Sequence, residues 1–202
     1  MTNLDIKQKT IAKEVSLSGV GLHTGKSVNM TFKPAPENYG YAFVRIDLEG
    51  KPVIEADANY VVTTERGTNL EKNGVNINTS EHVLAALVGL QIDNCIIELD
   101  ASEPPIMDGS SKYFIEILET AGLIEQEAFV EEYVVKEIIS YKDEKTGSEI
   151  MILPSEKYEL TTMVDFGTNV LGTQNAFINE ISEFKKEISD SRTFSFLHEI
   201  EM

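Results

Sequence analysis

The chain has one cysteine, Cys95, so no disulfide framework is possible and a reducing, cytoplasmic setting is expected. No run approaches the roughly 18 consecutive apolar residues of a membrane-spanning helix, so no transmembrane segment is predicted. Met1 to Thr10 is polar and lacks an apolar signal-type stretch, so no secretion signal is predicted. Positive charge is scarce: 17 Lys and Arg stand against 34 Asp and Glu, a net charge of −17. That balance excludes general nucleic-acid binding and an electrostatic hold on anionic lipid. It leaves room for a phosphorylated substrate gripped by a few local cations, with Lys142, Lys145 and Arg192 as candidates. Histidine is scarce too. His23, His82 and His198 are the three, and no His-Glu-x-x-His pair puts two metal ligands on one helix face.

What remains is ordinary for a globular protein: 42% hydrophobic and 25% charged residues in 202, enough for one large domain or two small ones. Gln8 to Ser18 reads as a strand, Gly19 to Gly25 as a glycine-rich turn, and Ser27 to Lys33 as its hairpin partner with Val28, Met30 and Phe32 on one face. Tyr41 to Leu48, Val53 to Ala56 and Gly74 to Asn78 read as further strands, with Asn59 to Leu70 ambiguous. Thr79 and Ser80 are good N-cap types ahead of a helix that is apolar nearly all round from Val83 to Leu90. Asp93 to Leu99 is a strong strand in which Cys95 reads as a core thiol. Pro104 to Ser110 turns into a helix over Ser111 to Ala121, with Phe114, Ile117, Leu118 and Ala121 on its apolar face and Gly122 as its stop.

Ile124 to Glu132 is acidic without clear period, and a domain boundary is placed there: residues 1–125 form a first domain and 126–202 the start of a second. In the second, Tyr133 to Tyr141, Glu149 to Leu153, Glu159 to Phe166 and Gln174 to Ile178 read as strands. Asn179 to Ile188 reads as a helix with Ile181, Phe184 and Ile188 on one face. This repeats the strands-then-helix order of the first half and stops short of completing it. Strand runs followed by helices predict an α+β fold of sheet-plus-helix layers rather than βαβ winding.

Glu81 and His82 open the central helix, where a core-forming sequence has no need of them. A carboxylate there is favoured by the helix dipole, and a neutral imidazole beside it suits metal binding or proton transfer; a capping Glu next to a packed His fits equally. His23 sits among glycines that serve either ligand approach or a plain turn. Asp108 fits as a cap for the following helix, and Ser191-Arg192-Thr193-Phe194 as a polar loop or a source of a hydroxyl donor to an oxyanion.

Together, the strings Ser18-Gly19-Val20-Gly21-Leu22-His23-Thr24-Gly25, Ser80-Glu81-His82-Val83-Leu84-Ala85-Ala86-Leu87, Ile92-Asp93-Asn94, Pro105-Ile106-Met107-Asp108-Gly109-Ser110 and Ser191-Arg192-Thr193-Phe194-Ser195-Phe196 closely resemble the N-terminal two-thirds of the UDP-3-O-acyl-N-acetylglucosamine deacetylases. These are the zinc amidases of lipid A synthesis in Gram-negative bacteria. The resemblance runs in order from about Lys7 to Glu201. It implies two similar α+β domains face to face, the second incomplete in this chain, and hydrolysis of the acetamido group of a UDP-linked acylated glucosamine. It implies Glu81 as general base, His82 as a Zn2+ ligand, Thr193 as an oxyanion donor, and Phe194, Lys145, Glu199 and His23 on the substrate side. The family's other two zinc ligands, and a later catalytic histidine, have no counterpart here. The resemblance therefore implies a fragment, inactive alone, whose partner is the missing C-terminal portion of the same enzyme. A non-catalytic binding or scaffolding module that keeps the fold is the alternative. A third arrangement, a new metal site from His23, His82 and His198, is the weakest.

Overall fold

A computed structural model describes residues 6–168 and 170–195. They form an α+β structure of several small sheets and few helices, in two compact units. One unit runs to Val130 and resumes at Phe184; the other is Glu131–Glu183.

The first unit holds strands β1 (Lys7–Ile11), β2 (Val15–Val20), β3 (Ser27–Pro34), β4 (Tyr41–Arg45), β5 (Val53–Glu55), β6 (Val61–Thr63), β7 (Asn69–Lys72), β8 (Val75–Ile77), β9 (Cys95–Leu99) and β10 (Leu123–Phe129). Its helices are α1 (Glu81–Gly89), α2 (Lys112–Ala121) and the short α3 (Phe184–Glu187). The main sheet has the order β2-β3-β9-β4-β5. The predicted hairpin is present, with Leu17 opposite Met30 and Val15 opposite Phe32. Val28, Met30 and Phe32 are all buried, as their alternation predicts. β4 is different: Ala42, Phe43, Val44 and Arg45 are buried in succession, so both of its faces are covered. Arg45 is tolerated there because its guanidinium grips both Asp47 oxygens at 2.8 Å and donates to Asn76 O at 3.0 Å. β4 and β9 run parallel. The strands-then-helices reading thus misses one parallel pair, whose long connection carries β5, the β6-β7-β8 sheet and α1.

The core lies between this sheet and the helices. Phe32, Phe43, Ile97 and Leu99 of the sheet, Val83 and Leu87 of α1 and Phe114 and Leu118 of α2 are all fully buried. On α2 the buried set is Phe114, Ile115, Leu118 and Ala121, with Ile117 only half-buried, so the apolar face is rotated slightly from the predicted one. Gly122 ends this helix at φ 70. On α1, a β-carbon at Gly89 would fall within 2.8 Å of Phe184 Cε1, so the absence of a side chain lets that ring lie against the helix. Cys95 is buried, and burial pushes its thiol up to about 12, which makes it an inert core group.

Two strand readings are corrected. Gln8 to Ser18 is not one strand: the chain leaves β1 at Ala12, whose N–H donates to Gly122 O, and enters a different sheet at Val15. The acidic stretch Ile124 to Glu132, where the sequence predicts no strand and places a domain boundary, is mostly β10, paired antiparallel with β1. Its period is hidden because it has no buried face: Leu123, Ile124 and Phe129 are each about half exposed. The strand is specified by its partner. A buried amide network locks the pair in place. Asn94 donates to Gln8 and Gln126 at 2.9 and 2.8 Å and accepts from Gly40 N at 2.8 Å.

In the second unit, β11 (Ile139–Lys142) pairs with β12 (Glu149–Ile152), and β13 (Leu160–Asp165) with β14 (Thr173–Ile178), as two separate antiparallel hairpins. Tyr133 to Ile138, predicted as strand, is irregular, and Tyr133 is fully exposed. The predicted helix over Asn179 to Ile188 is a short 3-10 turn, Ile181–Glu183, followed by the one-turn α3 of the first unit. Among the described residues no helix is long and apolar enough to cross a membrane.

Candidate functional site

The start of α1 is built under strain. Thr79 has φ 53, in the left-handed region where a β-branched residue costs about 1–3 kcal/mol. Several bonds hold the turn: Asn78 N to Ser102 O at 2.8 Å, Thr79 N to Asn69 Oδ1 at 3.1 Å, and Ser80 N to Thr68 O at 3.1 Å. Neither hydroxyl caps the helix as predicted. Ser80 Oγ donates to Thr68 O at 2.9 Å, and Thr79 Oγ1 donates to Glu103 Oε1 at 3.0 Å. Both are buried beside strong acceptors, and those acceptors win over the first-turn amides.

This turn presents Glu81 and His82 on the first turn of α1. Glu81 Oε2 accepts from Thr68 N at 2.8 Å, and Oε1 lies 4.0 Å from His82 Nε2. The imidazole is largely enclosed, with 18% of its side chain exposed, while the carboxylate is 39% exposed. One carboxylate oxygen is thus anchored by a backbone amide and the other faces the ring. His82 O accepts from Ser111 Oγ at 3.1 Å, which ties the pair to the start of α2.

His23 reaches the same neighbourhood from the β2–β3 loop. Its Nε2 lies 2.9 Å from Arg66 O, two residues before the amide that holds Glu81. The loop is fixed by Glu103, a fully buried carboxylate that the sequence reading missed. Glu103 accepts from His23 N at 3.1 and 3.2 Å, from Thr24 N at 2.9 Å and from the Thr79 hydroxyl. Burial presses this carboxyl toward neutrality, but those hydrogen bonds prevail and hold it below its ordinary value. A β-carbon at Gly21 would stand 2.6 Å from Glu103 Oε2, so a glycine is needed where the carboxylate enters the loop. No local pattern marks Glu103. It stands before Pro104, and its loop partners lie about 80 residues upstream.

The third contributor is the segment after α3. Ser111 N donates to Ser189 O at 3.1 Å, and Thr193 N donates to Gly109 O at 2.8 Å, so Ser191 to Thr193 runs along the Pro105–Ser110 turn. Arg192 Nε lies 3.6 Å from Asp108 Oδ2. The predicted capping role passes from Asp108 to Ser110. Asp108 accepts from the Ser110 amide and hydroxyl, and Ser110 Oγ accepts from Lys112 N at 3.2 Å. Phe194 is 58% exposed. Lys145 belongs to the other unit, in the exposed turn between β11 and β12, where its N–H donates to Asp143 Oδ1. His198 and Glu199 lie outside the described residues.

The first unit therefore gathers described residues from four of the strings quoted above, far apart in sequence, around the start of α1 and the adjoining Pro105–Ser110 turn. A family model described as "LpxC: UDP-3-O-acyl N-acetylglycosamine deacetylase" matches residues 8–202. The chain belongs to the LpxC family. It is 47% identical over 196 residues to a bifunctional enzyme LpxC/FabZ of Bacteroides thetaiotaomicron, a match covering 97% of this chain and 42% of that protein. It is 41% identical over 196 residues to a UDP-3-O-acyl-N-acetylglucosamine deacetylase of Myxococcus xanthus, covering 96% of this chain and 62% of that one. The corresponding deacetylase of Saccharophagus degradans is 42% identical over 200 residues, 97% of this chain and 65% of that one. The chain thus spans between about two-fifths and two-thirds of the length of these LpxC relatives.

Among the described residues no three His, Cys, Asp or Glu side chains come together to hold a metal ion. His82 offers one imidazole, and a catalytic zinc site takes three protein ligands. The described residues do not by themselves fit the zinc that the resemblance implies.

Proposed function

We propose that this chain is part of a zinc-dependent deacetylase that hydrolyses the N-acetyl group of UDP-3-O-acyl-N-acetylglucosamine in lipid A biosynthesis. The observation that carries this reading is the Glu81–His82 pair, 4.0 Å apart on the first turn of a half-buried helix, in a chain of the LpxC family. Glu81 is the general base. Its Oε2 is held by Thr68 N, so Oε1 can take a proton from the attacking water without the carboxylate swinging away. His82 supplies one zinc ligand. The Thr193 hydroxyl donates to the oxyanion of the tetrahedral intermediate, and the bond from its amide to Gly109 sets its position. Phe194, Lys145, Glu199 and His23 are assigned to the substrate side. The unit Glu131–Glu183, two β-hairpins with no α-helix among its described residues, is the start of a second domain of the parent enzyme.

The 202-residue chain alone is inactive, since one imidazole does not retain catalytic zinc; the remaining ligands come from the rest of the parent enzyme. The test is acetate release and bound zinc, measured on this chain and on the full-length protein. Turnover with stoichiometric zinc is expected only in the full-length protein. There, Glu81→Gln lowers kcat by about 10²–10⁴-fold and Thr193→Ala by about 10²–10³-fold. Wild-type turnover in both variants would remove the assignment. Stoichiometric zinc on the short chain would show that His82 has partners within it.

A further inference from the structure

We propose that Glu103 is a positioning residue for the reaction: through Thr79 it fixes the strained turn that aims Glu81 and His82, and through His23 and Thr24 it locks the glycine loop to that turn. The inference rests on the assignment of Glu81 and His82 made above. Three observations carry it. First, a β-branched residue with φ 53 stands two residues before the general base, and a strained conformation persists only where its surroundings over-determine it. Second, the Thr79 side chain turns away from the capping role its type favours and donates to a carboxylate with no exposed surface. Third, the same carboxylate accepts two backbone amides of the loop whose His23 ring meets the Arg66–Thr68 segment, and that segment donates to Glu81. One anion thus closes a circuit: loop to Glu103, Glu103 to Thr79, Thr79 to Glu81, Glu81 to Thr68, and Arg66 back to the loop. Gly21 leaves the space the carboxylate occupies. A group that served only to fill the interior would not need to be ionic; buried charge persists where its hydrogen bonds are complete, and each Glu103 oxygen accepts at least two.

The decisive experiment compares Thr79→Val, Thr79→Ser, Glu103→Gln and Glu81→Gln in the full-length protein. The readouts are kcat and KM for deacetylation, Tm, and hydrogen exchange at the His23 and Thr24 amides. Thr79→Val keeps the shape and loses the hydroxyl. It is expected to lower kcat by about 10- to 100-fold with KM changed by less than about threefold, because a small misplacement of the base costs the transition state most. Thr79→Ser, which keeps the hydroxyl, recovers turnover relative to Thr79→Val. Glu103→Gln lowers kcat similarly and speeds exchange at His23 and Thr24. If Glu103→Gln does not fold, the two Thr79 variants decide. A fall in Tm for Thr79→Val with wild-type kcat, or a Thr79→Ser variant as slow as Thr79→Val, overturns the inference while Glu81→Gln stays inactive. Full turnover in Glu81→Gln overturns the assignment of the base instead, and the inference with it.

Discussion

The two compact units use the same elements to opposite effect. In the first, β3 and β9 of the main sheet bury every second residue and β4 nearly all, and helices α1 and α2 each bury one face. In the second, β11, β12 and β13 are exposed along their whole length, and Ile139, Ile150, Met163 and Phe177 are each more than half exposed. The strand-forming residues are of the same kind in both. The difference teaches that β-prone sequence specifies pairing, whereas burial requires a second layer, and a two-stranded hairpin supplies none by itself.

The strongest way to break this comparison is to truncate an aromatic in the first unit. Phe114→Ala removes a fully buried ring and is expected to cost about 3–5 kcal/mol in urea denaturation. A loss below 1 kcal/mol would mean that the core is looser than its burial suggests. Next comes Asn94→Ala, which leaves Gly40 N without its acceptor and Gln8 and Gln126 short of a donor; about 1–3 kcal/mol is expected, with faster amide exchange in β1 and β10.

A smaller effect sharpens the role of buried charge. The folded carboxyl of Glu103 is held below its ordinary 4.5, so its stabilisation is fully present above that value and is lost as pH falls through the lower folded value. The stability gap between the wild type and Glu103→Gln therefore narrows on acidification below 4.5. A gap that widens there would mean the group is neutral when folded. Smallest of all is Phe177→Ala in the second unit, expected within about 0.5 kcal/mol of wild type because the ring is already 62% exposed.

Much of the first unit was legible locally. The alternation at Val28, Met30 and Phe32 marks β3, the apolar run from Val83 marks α1, and Gly122 marks the end of α2, because each rests on the period of its own element. β10 was not legible, since an edge strand without a buried face carries no period and is defined by β1, more than 100 residues away in sequence. The Glu81–His82 pair was visible because charged and titratable residues opening an apolar helix stand out. Glu103 was invisible, because a carboxylate before a proline is unremarkable until its hydrogen-bond partners are known.

By itself, the sequence determined the α+β class, the β2–β3 hairpin, both main helices and the family, all of which follow from periodicity or from short strings. Only the tertiary structure decided that the chain after Glu183 returns to the first unit. It alone decided that Thr79 is strained instead of capping, and that one buried anion joins the His23 loop to the base. Those outcomes depend on which groups compete for a buried acceptor, and that competition is settled by contacts distant in sequence.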